Sequence, residues 1–585
     1  MDEPTLLAKA REYISLEEHD FFRTQVETLV RQRSFDDLND RFFTELAFGT
    51  GGLRGVIGGG YNRMNPYTVK KATQGLANYI KKSVRDVSTA SVVIAYDCRN
   101  YSDLFSLEAA LVLAANGIRA YLFTSLRPTP ELSFAVRHLK ATAGIVVTAS
   151  HNPPEYNGYK VYWSDGGQIV PPHDTGIIAE ARALSGAVAG LTKEEAFKRG
   201  LLVMIDREVD EPFLAMVKGQ SLRPDLVKEL GATLSVVYTP LNGAGAMPVE
   251  RVLADLGIRV TFVPEQRYPD GNFPTVKFPN PEEASAMQLA LNLGKARHAD
   301  LVMGTDPDAD RLGIAAPDGE GYRLITGNEL GVLLLDYILM TRQELGTLPK
   351  KGAFIKTIVT TELERLVAEK YGLLVFDVLT GFKYIGEKIR QFEVQENGPV
   401  FIFGNEESYG YLTSSSVRDK DAVSGAVMTA ELTLYHRSRG KTLMGRLREL
   451  WSEFGYFKET GISGIFKGEV GIASMQKLME TLRNAPPPEI AGMKIVRIKD
   501  FLKGTTAAPG QGTVKDIDLP SSNVLQFFLE DGSVITARPS GTEPKIKFYV
   551  SCRSAAGMPI DAAMAEVDRK SGAIIAQVKQ RIDEA

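Results

Sequence analysis

The chain is poor in cysteine: Cys98 and Cys552 are the two it has among 585 residues, and they stand far apart. A disulfide framework and a CxxC metal site are therefore excluded, and both residues read as free or buried thiols. Net charge is small as well, −4 from 68 basic and 72 acidic residues. That balance provides no electrostatic footprint for nucleic acid or for an anionic membrane surface, so an anionic ligand must be met by local clusters. No long apolar run is present. The stretch from Leu330 to Met340 is interrupted by Asp336 and falls short of the ~20 residues that cross a bilayer. The opening MDEPTLLAKAREYISLEEHD is charged throughout and lacks the apolar segment of a signal peptide. These absences predict a cytoplasmic protein with neither a nucleic-acid nor a membrane partner.

What is present is ordinary for a globular protein: 44% hydrophobic and 24% charged residues. At roughly 150 residues per domain, the length predicts about four domains. Residues 1 to 46 carry helix-period patterns such as Leu6, Leu7, Tyr13 and Ile14, and a glycine cluster, GTGGLRGVIGGG from Gly49 to Gly60, opens the first domain. A layout then recurs three times. Each copy begins with a β-branched run (SVVIAYD, LSVVYTP, AFIKTIV), continues through an apolar helix pattern (LEAALVLAA, VERVLADL, ELERLVAEKY), and closes the helix with Gly117, Gly257 or Gly372 before a second strand. Strand, helix, glycine, strand is a βαβ unit, so three α/β domains with parallel pairing are expected. From about Trp451 the grammar changes. VLQFFLE and SVITA flank Asp531-Gly532 and read as a hairpin with a type I′ turn, KIKFYVSC follows as another strand, and a long helix from Asp561 closes the sequence. The expected boundaries are 1–205, 206–322, 323–452 and 453–585, the last an α+β domain.

Each α/β copy delivers a polar loop after a later apolar run: GIVVTASHN, DLVMGTDPDADR and VFIFGNEESYG. Open α/β sheets bind ligands outside the carboxyl ends of their strands. In GTDPDADR, Asp306, Asp308 and Asp310 alternate and would point to one side of an extended loop. Converging hard oxygen donors suit Mg²⁺. An EF-hand starting at Asp306 fails, having Arg311 at its sixth position and Pro317 at its twelfth. TASHNP puts the Ser150 hydroxyl at a strand end, followed by His151 and Asn152. Alone it reads more readily as an ordinary turn serine, because the nucleophile elbow G-x-S-x-G is absent. GNEESYG supplies Glu406, Glu407 and Ser408, side chains able to hydrogen-bond sugar hydroxyls or to decorate an exposed turn. RPSGTEPK combines Arg538, Ser540, Gly541, Thr542 and Lys545, which is the composition of a phosphate cradle or of a simple hairpin connection. Nucleotide motifs miss. Gly-Lys-Thr ending at Thr442 has Tyr435 where a P-loop needs glycine, and GTGGLR puts Arg54 at the third Rossmann glycine. Together the four loops hold a hydroxyl, a divalent-cation site, hydroxyl-reading carboxylates and a cationic phosphate site, the inventory of phosphoryl transfer.

In those four loops and their order the chain resembles the α-D-phosphohexomutase superfamily (phosphoglucomutase/phosphomannomutase, in a longer subgroup that also includes phosphopentomutases). The resemblance covers essentially the whole length. It implies three α/β domains with mixed sheets and a C-terminal α+β domain in a heart-shaped arrangement around a central cleft. By resemblance, Ser150 carries the phosphate and its oxygen completes the shell of one Mg²⁺ with Asp306, Asp308 and Asp310, while Arg311 contacts the phosphoryl group. Lys160 matches the family's proposed general base and His151 is a second candidate for proton transfer, a choice the sequence leaves open. Arg54 is assigned to the active site, Lys356 and Thr380, Gly381, Phe382 and Lys383 to the neighbourhood of the sugar or its phosphate, and Arg538, Ser540, Gly541 and Thr542 to the distal phosphate.

The implied reaction is an isomerisation. Phosphorylated Ser150 donates to a sugar monophosphate, a bisphosphate such as glucose 1,6-bisphosphate turns around, and the serine takes back the other phosphate. The Glu-Glu-Ser-x-Gly form of the sugar loop is similar to that of members preferring glucose phosphates, whereas a methionine in place of Glu407 is commoner in dual glucose and mannose enzymes. FGTGGLRG and the length are similar to a subgroup containing phosphopentomutases and a hexose bisphosphate synthase, so ribose phosphates stay open. A silent sugar-phosphate sensor and a metal phosphatase are the rivals of another class. Monomer and dimer are both compatible with the sequence.

Overall fold

The computed structural model describes residues 1–46, 52–466, 468–508, 510, 512–540 and 545–585. It divides into two compact units, Met1–Gly327 with Phe382–Ser438, and Asn328–Gly381 with Arg439–Ala585. The region expected at 323–452 is thus shared between them.

The first unit begins with helices Glu3–Leu16, Asp20–Gln32 and Phe35–Phe42. Asp2 caps the first, its side chain accepting the Thr5 N–H at 3.0 Å. Tyr13 is fully buried and meets Phe42, Tyr61 and Tyr67 edge-on, with ring centroids 5.7 to 5.9 Å apart. Glu17, also buried, accepts from the Tyr13 hydroxyl at 2.9 Å and the Tyr67 N–H at 3.3 Å, which ties these helices to helix Pro66–Ser83. The glycine run Gly58–Gly60 lies against them: a Cβ on Gly59 would sit 2.3 Å from the Phe22 carbonyl oxygen. Close backbone approach, more than turn-making, explains glycine there.

Strands β1 (Gly52–Val56), β2 (Ser91–Tyr96), β3 (Arg119–Phe123), β4 (Ala143–Val147), β5 (Tyr156–Trp163) and β6 (Leu202–Ile205) form a sheet in the order β1-β5-β4-β2-β3-β6. β2 pairs in parallel with β3 and β4, whereas β5 runs antiparallel to β4 and β1. Helices cover both faces. Val92 and Ile94 pack with Leu76, Ala109 and Leu113, and Val93 and Ala95 with Leu132, Ala135 and Val136. That double burial is why β2 is apolar continuously rather than alternately.

A second sheet repeats the pattern: β7 (Val236–Thr239), β8 (Val260–Phe262), β9 (Leu301–Thr305), β10 (Leu312–Asp318) and β11 (Gly321–Ile325), in the order β11-β10-β9-β7-β8. β7 is parallel to β8 and β9, and β10 returns antiparallel to β9. Of the third region, β12 (Gly352–Thr357) and β13 (Leu374–Val378) are a parallel pair in the second unit. β14 (Val400–Glu406) and β15 (Gly410–Leu412) are an antiparallel pair in the first. The three helix-closing glycines behave as expected, with φ of 74° at Gly117, 78° at Gly257 and 74° at Gly372. Each is followed by the same return bond, Ile118 to Leu113, Ile258 to Leu253 and Leu373 to Ala368, at 2.8 to 3.1 Å.

The rest of the second unit is one antiparallel sheet of β16 (Phe457–Ile465), β17 (Glu489–Ile490), β18 (Met493–Asp500), β19 (Thr505–Ala508), β20 (Gly512–Lys515), β21 (Leu525–Leu529), β22 (Val534–Pro539) and β23 (Lys545–Arg553). Helix Ile560–Asp583 packs on β16 and β23, burying Ala563, Val567, Ile574 and Val578 along one face. The hairpin at Asp531-Gly532 is present, but its turn differs from type I′. Of the two residues Gly532 alone has positive φ, 85°, and the Leu529 N–H bonds Ser533 O across a three-residue loop. The Asp531 carboxylate accepting the Ser533 N–H at 2.9 Å holds the aspartate in an ordinary turn conformation. Among the described residues no helix is long and apolar enough to cross a membrane.

On β16, Glu459 accepts from the Ser551 hydroxyl at 3.2 Å. Burial pushes its carboxyl from 4.5 up to about 7, against hydrogen bonds from Thr361 and Ser551; the charged groups facing it are Glu329 and Lys356. A carboxyl whose folded pKa is raised releases its proton earlier in the unfolded chain, so stability falls as pH rises from about 4.5 to about 7 and is flat above. Replacing Glu459 with glutamine should remove that decline, a gain on the order of 1–3 kcal/mol at pH 8 relative to pH 4.5. Urea unfolding of the two proteins across this range checks it; parallel pH profiles would contradict it.

Candidate active site

In both complete sheets the strand that turns the order from parallel to antiparallel delivers chemistry: Ser150 lies between β4 and β5, and Asp306, Asp308 and Asp310 between β9 and β10. In the equivalent place Glu406 ends β14, and Glu407 and Ser408 fall between β14 and β15. Each loop contains a non-glycine residue in the left-handed region, Ser150 at φ 52°, Ala309 at 48° and Tyr409 at 61°. Strained backbone of this kind persists where the surroundings over-determine it.

The surroundings of Ser150 are explicit. Its N–H donates to Thr148 Oγ1 at 2.8 Å, and that hydroxyl donates to Asp97 Oδ2 at 2.6 Å. Arg99, almost fully buried, donates to the carbonyls of Ser150 at 2.6 Å, Pro153 at 2.8 Å and Tyr156 at 2.9 Å, and to that of Asn152. One guanidinium thus gathers the loop's carbonyls, with Asp97 3.4 Å from its Nε as counter-charge. Arg99→Leu leaves those carbonyls and a buried carboxylate without their cation, so a loss of about 3–5 kcal/mol is expected. Denaturant unfolding measures it, and a loss below about 1 kcal/mol would contradict the assignment.

Ser150 Oγ donates to Asp306 Oδ2 at 2.6 Å and lies 3.2 Å from His151 Nδ1. The three aspartates are buried and each turns an oxygen to within 4.8 Å of the others. Convergence comes from a tight turn, not from the extended alternation expected from spacing. Ala309 N–H bonds Asp306 O at 2.9 Å, and Asp306 Oδ1 accepts the N–H groups of Asp310 and Arg311, both at 3.1 Å. Burial, then mutual repulsion, pushes the Asp306 and Asp310 carboxyls above the usual carboxylate range. Asp308, although buried, is held below it chiefly by the Lys160 ammonium. Asp308 Oδ1 and Asp310 Oδ1 are buried without a hydrogen-bond partner. Buried unpaired carboxylate oxygens beside one another are costly unless a cation sits on them, so the donor set fits a hard divalent ion.

Lysines ring this group. Lys160 Nζ is 2.9 Å from Asp308 Oδ2 and 3.8 Å from Asp310 Oδ2. Burial works against its charge, but Asp308 and Asp310 outweigh it and raise the ammonium above the usual value. Lys420, 3.1 Å from Asp310 Oδ2, is raised by the same carboxylate. Burial, then Arg311 and Arg54, lowers the His151 imidazole well below its usual value. Arg311 pairs with Glu282, and its Nε is buried without a hydrogen-bond partner 3.9 Å from Asp310. Arg54 on β1 donates to Asn152 Oδ1 at 3.3 Å.

In the sugar-loop candidate, Ser408 Oγ donates to Glu406 Oε1 at 2.6 Å, and Glu406 Oε2 is buried without a partner. Lys383 starts helix Lys383–Val394 and lines a small cleft with Trp163, Asp165 and His173. The remaining expected residues belong to the second unit. Lys356 is fully buried, with Nζ 2.7 Å from Glu362 and 3.3 Å from Asp377. Thr380 Oγ1 is buried without a partner, and Gly381 has φ 120°. Arg538 is half-buried at the last position but one of β22, and Ser540 N–H bonds Lys545 O at 2.7 Å. Gly541 and Thr542 lie outside the described residues. Sequence reasoning missed Arg99, Thr129 and Lys420. The run VRDKDAV around Lys420 was a signal, since charged residues opening an apolar helix seldom lack a partner.

Repeated α/β sheets whose strand ends bring a serine hydroxyl against a buried carboxylate trio, framed by lysine and arginine, make a candidate site for phosphoryl transfer. Models of the phosphoglucomutase/phosphomannomutase α/β/α domains I, II and III match residues 45–186, 211–319 and 326–454, and that of the C-terminal domain matches 492–567. The chain belongs to the phosphoglucomutase/phosphomannomutase family, an isomerase family of four-domain architecture. The phosphoglucomutase of Staphylococcus epidermidis is 37% identical over 533 residues, covering 90% of this chain and 94% of the relative. That of Staphylococcus aureus is 37% identical over 544 residues, covering 90% and 93%. Among solved structures, the open form of the Paramecium phosphoprotein pp63/parafusin, a phosphoglucomutase, aligns with TM-score 0.69 at 19% identity, over 92% of this chain and 96% of that one. A Burkholderia thailandensis family protein aligns with TM-score 0.65 at 19% identity, covering 92% and 98%. Those two likenesses concern the fold.

Proposed function

We propose that the protein interconverts glucose 1-phosphate and glucose 6-phosphate, with Ser150 as the phosphate carrier and glucose 1,6-bisphosphate as the intermediate. One observation carries the reading: Ser150 Oγ stands 2.6 Å from Asp306 Oδ2, in a carboxylate trio of which two buried oxygens have no hydrogen-bond partner. The names of the relatives support glucose as the sugar, as does the Glu406-Glu407-Ser408 loop.

Asp306, Asp308, Asp310 and the Ser150 oxygen would hold one Mg²⁺. When bound, that ion supplies positive charge beside the transferring phosphoryl oxygens. The chain's own groups do the rest. Phosphoserine 150 gives up its phosphoryl group as the P–O bond to Oγ breaks and a new P–O bond forms to the free sugar hydroxyl, whose proton passes to the neutral His151 imidazole or to Lys160 in its uncharged amine form, while the departing Oγ takes up a proton to become the serine hydroxyl. Arg311 Nε, buried without a hydrogen-bond partner, is available to the equatorial oxygens. Glu406 Oε2 is available as an acceptor for a sugar hydroxyl. Arg538, Ser540, Gly541, Thr542 and Lys545 would take the distal phosphate, and Lys356, Thr380, Gly381 and Lys383 would attend the sugar or its phosphate. In the second half-reaction the bisphosphate, turned around, returns its other phosphoryl group to Oγ.

The test is to supply the purified protein with the 1-phosphates of glucose, mannose, ribose and glucosamine, with Mg²⁺ and a trace of glucose 1,6-bisphosphate, and to compare kcat/KM. Glucose 1-phosphate should lead. Faster turnover of ribose 1-phosphate would move the assignment to a phosphopentomutase, and steady release of inorganic phosphate would mark a phosphatase.

A further inference from the structure

Thr129 opens helix Thr129–His138 from the sequence Pro-Thr-Pro. It is fully buried and makes two bonds to one residue of the carboxylate trio. Its N–H donates to the Asp308 carbonyl at 2.9 Å. Its hydroxyl donates to Asp308 Oδ2 at 2.9 Å, and Lys160 Nζ meets the same oxygen at 2.9 Å. The other oxygen, Oδ1, is buried and unpaired.

Two donors from fixed directions lock one carboxylate oxygen and thereby decide where the other points. Threonine suits this, because its branched Cβ restricts the side-chain rotamer and so aims the hydroxyl. The helix that carries it is itself pinned. Ser133 Oγ donates to Gly166 O at 2.6 Å, and just before the helix Arg127 grips Asp210 through two bonds of 2.8 and 3.0 Å. Thr129 lies within the stretch matched by the domain I model and Asp308 within that of domain II. The first α/β region therefore reaches across to orient a ligand carried by the second.

We infer that Thr129 is a positioning residue for the divalent cation, holding Asp308 so that Oδ1 faces Asp306 and Asp310. The inference rests on the cation reading of the trio and extends it to a residue outside the acidic loop. A threonine at a helix start is otherwise unremarkable, and the carboxylate bond distinguishes this one.

The experiment titrates metal directly, by calorimetry with Mg²⁺ and by the electron paramagnetic resonance signal of Mn²⁺, on wild type, Thr129→Val and Thr129→Ser. Valine keeps the shape and deletes the donor; serine restores the donor. Outer-shell partners of metal ligands contribute about 10- to 100-fold in affinity. Thr129→Val should weaken both ions by that factor, Thr129→Ser should stay within about threefold of wild type, and KM for the sugar phosphate at saturating Mg²⁺ should be unchanged. Should Thr129→Val not fold, Thr129→Ala serves as the donor-less protein. Equal metal affinity in wild type and the donor-less variant overturns the inference, as does a serine variant no better than valine. Wild type that binds neither ion overturns the cation reading beneath it.

Discussion

Replacing Ser150 with alanine is expected to lower kcat by roughly 10³- to 10⁶-fold, the scale on which removal of a covalent carrier acts. The side chain is nearly buried and its hydroxyl makes one strong bond, to Asp306. The backbone N–H of residue 150 keeps its bond to Thr148, and Arg99 keeps its bond to the carbonyl. Alanine therefore retains the loop, and the melting temperature should move by no more than about 4 °C for so small a loss. Measuring turnover and melting together separates a lost carrier from a lost fold. Alanine protein that turns over within tenfold of wild type would contradict the assignment.

The second large effect concerns the trio. Asp310→Asn is nearly isosteric but removes a charged donor whose Oδ1 has no hydrogen-bond partner. Turnover should fall about 10²-fold or more, because the ligand is lost and the phosphoryl oxygens meet less positive charge. Metal binding should report the same loss independently. Anything that binds the folded state alone stabilises it by mass action, about 2.7 kcal/mol at a hundred times Kd. Wild type should therefore melt several degrees higher in Mg²⁺ than in chelator, and Asp310→Asn should show little difference. Calorimetric scans in both buffers test this. A wild-type melting point indifferent to Mg²⁺ would count against the cation site.

How much of this was legible depends on where the information lies along the chain. Gly117, Gly257 and Gly372 announced their helix ends because a left-handed C′ residue is a local demand. The strand-end position of Ser150, Asp306 and Glu406 was readable because apolar runs stop abruptly at them. The form of two turns was not. Asp531-Gly532 adopts a three-residue loop since Asp531 bonds Ser533 instead of taking positive φ. The acidic loop converges through the positive φ of Ala309 and the bonds of Asp306 to its own backbone, not through strand-like alternation.

Long-range partners were the least accessible. Arg99 meets the Ser150 loop across 51 residues of chain, and Thr129 meets Asp308 across 179. Neither carries a motif of its own, and an arginine after a strand or a threonine before a proline is common. The glycines at 58–60 looked like a domain opening and prove to be a seat for the N-terminal helices, visible only once Phe22 and Arg41 are beside them. What nearby residues demand of one another can be read from sequence; what two distant loops demand needs the fold.

The most direct measurement is intact-mass and peptide mapping of the protein after brief exposure to glucose 1,6-bisphosphate, followed by a chase with glucose 1-phosphate. The account predicts one phosphoryl group on the peptide bearing Ser150, lost to the sugar during the chase at a rate matching turnover. Turnover without label at Ser150, or label elsewhere that discharges at that rate, would contradict it.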